Sequence, residues 1–254
     1  MKEYIVALVK VFKEKAWAEN FRNGQLYMNP ISYFIKSDQE QVADPSEATA
    51  IALKFKAEIG HQQHNYSVRI IDTHSTYNPV FCMYAVYSSD YNRDGKIRLL
   101  SDKMKEFGKY AVVVNNVRAF LEKITEKEKQ LDYSCVKYIN FSTIKEDAIF
   151  YPILKKNLAY EHQKEFRIFS DTILVQSNYT DAEKDELDSL KFVDSDHYDG
   201  FIDDINDITS GVLYTDELIN GVNLNLSIGW NFCRKTNLDL TTEKMWRKNR
   251  RHKQ

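Results

Sequence analysis

Between residues 160 and 169 the chain reads Tyr-Glu-His-Gln-Lys-Glu-Phe-Arg-Ile-Phe, and its period changes within that run. From Glu165 onward charged and apolar residues alternate. In an extended chain this puts Glu165 and Arg167 on one face and Phe166 and Ile168 on the other. Such a segment predicts a strand with its apolar face on a core and an acid beside a base on the opposite face. Gln163 lies two residues upstream and is expected to point to the same side as Glu165. Residues 149–163 read as a short helix or a bend that carries Lys155 and Lys156.

The rest of the chain bounds the fold. Its 254 residues are 43% hydrophobic, with 16 Tyr and 14 Phe but only 8 Gly and 4 Pro. That composition supports a sizeable core and excludes a disordered or low-complexity chain. Strands are predicted over residues 4–12, 25–29, 50–59, 66–71, 80–88, 110–115, 134–141 and 165–175. One or two closing strands are expected within 212–232. Helices are predicted over 13–23, 30–35, 97–107, 117–129, 148–163 and 181–191, with Gly24 ending the first of them. No repeat and no Ser/Gly/Pro linker divides the sequence. The expected fold class is α+β, a mostly antiparallel twisted sheet with helices packed on one face. One domain spans 1–243, and a basic tail, 244–254, follows it.

Several functional classes lose support. The net charge of −2 creates no field that would gather nucleic acid. The basic tail carries six Lys and Arg that could meet phosphates or simply be solvated. Three Cys at long spacings indicate neither a disulfide framework nor a zinc site, and read as buried reduced thiols. No apolar run reaches membrane-spanning length and no signal-peptide core is evident, so no membrane partner is expected and the cytoplasm is the expected compartment. The sequence contains no GxGxxG, P-loop, GxSxG or HExxH motif. His61 and His64 read as a polar hairpin tip, and the acidic stretch 194–200 lacks calcium-loop spacing. No metal is expected.

The candidate catalytic residues are Glu165, Gln163 and Arg167. A carboxylate at a strand entry can hold a ribose hydroxyl and stabilise an oxocarbenium-like transition state while an amide orients the acceptor. The alternative is a structural ion pair in which Glu165 meets Lys155, Lys156 or Arg69. Tyr87, Ser88 and Ser89 are candidates to bind a cofactor by stacking and hydroxyl contacts. With Asp90 they also make an ordinary turn. Phe141-Ser142-Thr143 has the same form. Asp44-Pro45-Ser46-Glu47 reads as a helix cap, or as acids facing the cleft of Glu165.

Three segments together resemble a widespread bacterial family of unknown function. They are residues 21–29 leading to Asp44-Pro45-Ser46-Glu47, residues 81–84 with 107–114, and Gln163-Lys-Glu-Phe-Arg-Ile168. The resemblance covers roughly residues 15–170 and implies a role in bacterial or phage conflict or defence. A looser similarity is to ADP-ribosyltransferases, through Gln163-Lys-Glu165 and Tyr87-Ser88-Ser89. It implies NAD as a substrate, with Glu165 stabilising the ribosyl cation, Gln163 orienting the acceptor and Arg167 fixing Glu165 or a phosphate. The first strand has no Arg or His to hold a dinucleotide, and Lys10 is the nearest substitute. The expected function is therefore a nucleotide-like ligand cleft with ADP-ribosyl transfer. The alternative is a non-catalytic protein-binding or sensor module, its partner meeting the acidic region 181–207.

Overall fold

The first strand, β1 (Ile5–Phe12), is apolar at consecutive positions instead of alternate ones. In the computed structural model of the protein this has a direct cause: both faces of β1 are covered. The structure describes residues 4–37, 43–59, 62–90, 100–127, 130–141, 151–174, 192–193 and 195–221.

From the start of the chain, β1 is followed by α1 (Lys15–Arg22), β2 (Gln25–Pro30) and α2 (Ile31–Ile35). A long hairpin, β3 (Thr49–Ile59) and β4 (Gln62–Ile71), leads through α3 (Thr73–Thr76) to β5 (Pro79–Tyr87). Then come β6 (Tyr110–Val114), α4 (Val117–Lys127), β7 (Leu131–Cys135), β8 (Lys137–Ile139) and β9 (Lys155–Asn157). The strand read first in the sequence is β10 (Glu165–Ser170). Short strands β11 (Ile173–Leu174), β12 (Phe192–Val193), β13 (Tyr198–Phe201) and β14 (Leu213–Tyr214) precede α5 (Thr215–Asn220).

The main sheet runs β13-β2-β5-β1-β6-β14, with β10 added on β5 and β7 on β10. All its pairings are antiparallel. The fold is α+β. On one face, Leu8, Phe12, Met28, Phe81, Phe166 and Ile168 pack with Phe21 of α1 and Phe120, Leu121 and Ile124 of α4. On the other, Val6, Ala7, Val9, Val86 and Val113 meet Met104 and Leu218 of α5. Helical segments thus cover both faces rather than the one expected. A sheet buried on both sides has no solvated face to supply polar residues at every second position.

Three local expectations are corrected. Residues 151–163 are not a helix: two short 3-10 turns, Pro152–Leu154 and Leu158–Gln163, flank β9. β9 is extended because it pairs in parallel with β8, with Tyr138 opposite Lys156. The hairpin strands extend to residues 59 and 62, so the expected six-residue connection shrinks and His64 lies within β4. Residues 215–220, expected within a strand run, are helical, and the Tyr214 amide at their start donates to the Glu217 carboxylate at 3.1 Å. The expected helix at 181–191, Ser142, Thr143, His61, Cys233 and the basic tail lie outside the described residues. Among the described residues, no helix is long and apolar enough to cross a membrane.

Candidate functional site

Alternation along β10 does what the sequence predicts for a half-apolar strand. Phe166 and Ile168 enter the core with α1 and α4, while Glu165 and Arg167 meet on the opposite face. There the charges are enclosed. Arg167 is the largest fully buried side chain, at 1% exposure, and Glu47 is at 0%.

The guanidinium fork is spent on protein. Its Nε donates to Glu165 Oε1 at 2.6 Å. Its Nη1 and Nη2 donate to the two oxygens of Glu47 at 3.0 and 2.6 Å, and Nη1 also donates to the Ile153 carbonyl. This bidentate, charge-assisted geometry is what a planar guanidinium provides and an ammonium cannot. Lys156 completes the set. Its Nζ donates to Gln163 Oε1 at 2.7 Å and Glu165 Oε2 at 3.0 Å, and stands 3.3 Å from Glu47 Oε1. Two cations and two anions balance within the network.

The backbone explains how these residues converge. Lys156 reaches inward because β9 is extended beside β8. Gln163 is not on the strand at all; it ends a 3-10 turn. Lys164, at φ +40°, turns the chain sharply into β10, and Lys156 joins Gln163 to Glu165. Glu47 comes from residues 43–48, where Asp44 accepts from the Ser46 amide at 2.9 Å and also from the Ser46 hydroxyl. That segment is no helix cap: it launches β3. The Thr49 hydroxyl donates to the Ser46 carbonyl, and the Asp72 amide donates to the Ala48 carbonyl. Tyr160 adds a hydroxyl bond to the Ala43 carbonyl at 2.6 Å.

Electrostatics follow the geometry. Burial works to raise the Glu165 pKa, but Arg167 and then Lys156 overcome it and hold the carboxyl well below the usual carboxylate range. Burial would lower that of Lys156, yet Glu165 and Glu47 raise it. The Cys82 thiol is pushed up to about 12 by burial and by Glu165, so it is a neutral thiol beside the network.

The structure separates the three residues proposed for cofactor contact. Tyr87 is half-buried at the end of β5; its hydroxyl lies 3.7 Å from Cys135 Sγ. It is close enough to Tyr138 to raise that phenol's pKa, after burial and Glu165, and the Tyr138 hydroxyl accepts the Glu165 amide at 2.8 Å. Ser88 is tied to the chain start, its amide to the Tyr4 carbonyl and its hydroxyl to the Tyr4 amide. Ser89 is exposed in the one-turn 3-10 segment Ser88–Asp90. Asp90 accepts the Tyr87 amide and pairs with Lys164.

Lys10 sits where β1 leaves β5, one residue past the Val9–Tyr84 pair. Its Nζ donates to the Cys82 carbonyl at 2.8 Å and lies 4.3 Å from the Phe81 ring centre. Burial lowers its pKa, against the pull of Cys82 and Glu165. Lys10 thus fills the fork between strands. The sequence reading offers Lys156 among three ion-pair partners for Glu165 and lets the acids of residues 44–47 face the same cleft, but it does not single out Glu47 as the main partner of Arg167.

The expectation of three reduced thiols is also corrected: Cys82 is free, but Cys135 is disulfide-bonded. In the acidic loop, the His197 ring contacts Asp196 and Asp199, and no group of metal-ligating side chains occurs among the described residues. Compared with family models, with curated proteins and with solved structures, the chain matches none.

Proposed function

We propose that this chain is a non-catalytic binding module in which the Glu47–Arg167–Glu165–Lys156 network is the mount for the β3–β4 hairpin. One observation carries this reading: both oxygens of Glu165 are taken, one by Arg167 and one by Lys156, at buried positions. A carboxylate that steadies a ribosyl cation must face the sugar as positive charge develops. Here it faces two protein cations. The same guanidinium grips Glu47, one residue before the Ala48 carbonyl that closes the hairpin base. The network therefore joins the root of the hairpin to the centre of the sheet. The conflict or defence role implied by the sequence resemblance would then be exercised through binding.

The competing reading is ADP-ribosyl transfer from NAD, with Glu165, Gln163 and Arg167 in the roles given above. The meeting of Gln163 and Glu165 on Lys156 favours it. Incubation with labelled NAD and bacterial protein and nucleic acid separates the two. Under the binding reading neither the wild type nor Glu165→Gln incorporates label. Label incorporated by the wild type and lost in the variant would establish transfer instead.

A further inference from the structure

The hairpin is the longest strand pair described, and among the described residues it pairs with nothing but itself. Cross-strand partners share a face, and three consecutive same-face rungs are apolar: Ile51 with Ile70, Leu53 with Val68, and Phe55 with Tyr66. The last two rings stack at 5.4 Å. This face is partly open: Phe55 is 49% exposed, Val68 40% and Ile70 48%, while Ile51, Leu53 and Tyr66 are half-buried. The opposite face carries Lys56, Glu58 and Arg69, and near its root Ala52 packs on Phe141 and Ile139. A two-stranded ribbon is marginal in water unless one of its faces is covered.

We infer that this face is a self-association surface whose occupant is the same face of a second copy of this chain. The inference rests on the binding-module reading and names its partner. The three rungs carry no formal charge, so two copies meet without repulsion or a stranded ion. They are also self-complementary. A two-fold axis lying in the interface, across the strands at the Leu53–Val68 rung, sets the aromatic rung of one copy on the Ile51–Ile70 rung of the other. Aromatic rings laid on Ile side chains bury apolar area on both copies. The same axis sets Val68 against Val68.

The ribbon is about 10 Å wide and the three rungs about 20 Å long, so two copies bury on the order of 400 Å² in total. That lies well below the roughly 1,200 Å² of standard interfaces, so the dimer is weak and reversible. Sedimentation velocity of the full chain from about 5 to 500 µM tests this, with Val68→Lys and Val68→Glu alone and mixed. Wild-type mass is expected to rise toward twice the monomer with concentration. Each variant, checked for an unchanged unfolding midpoint, is expected to stay monomeric, and the equimolar mixture to recover the doubled mass. A wild type that stays monomeric, or a Val68→Lys variant that dimerises as the wild type does, would overturn the inference. Neither result touches the non-catalytic reading, which fails only on NAD label transfer.

Discussion

Arg167 holds two carboxylates at once, so its loss is not the loss of one ion pair. Arg167→Ala would leave Glu47 and Glu165 facing each other in the interior with only Lys156 between them. The expected destabilisation is about 3–5 kcal/mol, read from denaturant unfolding. Replacing all four charged residues with apolar residues of similar volume is expected to cost far less, because no charge is stranded. Acid tests the same network. The Glu165 pKa is depressed in the fold, so its contribution is fully present above the unfolded value of about 4.3 and is lost as pH falls toward the folded value. Thermal unfolding midpoints should therefore drop below about pH 4.3, and in Glu165→Gln that part of the slope should flatten. A midpoint curve with the same acid slope in both proteins would contradict this. At this scale the sequence is informative about faces and only coarse about partners, offering Lys156 as one of three cations for Glu165. The alternation from Glu165 to Phe169 fixes which side each residue takes. Nothing in one sequence selects the lysine nine residues upstream from the other cations or ties a glutamate 120 residues away to Arg167.

Element ends were legible where backbone chemistry is local. Gly24 follows α1 at φ +101°, as its place after an amphipathic helix predicts. It has a second role: a Cβ there would come within 2.0 Å of the Ile202 carbonyl oxygen, which belongs to a segment far along the chain. The Ile202 amide in turn donates to the Gly24 carbonyl at 2.8 Å. Gly24→Ala combines a left-handed conformation, costing about 1–2 kcal/mol, with a backbone clash. Its unfolding free energy is expected to fall by at least that much, and by more than in Gly211→Ala, where a Cβ meets nothing within 4 Å. β9 was not legible because its conformation is decided by β8 rather than by its own residues. Lys-Lys-Asn has no strand pattern, and the helix expected there loses to the parallel pairing with Lys137–Ile139.

Across the whole molecule, the α+β class follows from the strand-rich runs and scarce glycine, but the two-sided covering of the sheet does not. It rests on which distant segments fold over β1. The hairpin obeys a different economy from the sheet. Most of it lies outside the two main core clusters, and its links among the described residues include the Ala48 carbonyl, the Thr49 hydroxyl and the Ala52 contact. Thr49 and Ile71 are paired at its base, so a short turn can join them. Replacing residues 51–70 with such a turn should leave the body folded, with its thermal midpoint within a few degrees of the wild type. The Glu47–Arg167 grip remains in that protein because it lies before the excised segment. A midpoint many degrees lower would mean that the sheet needs the hairpin for its own stability. The network would then be part of a folding unit that includes the hairpin rather than a mount that displays it.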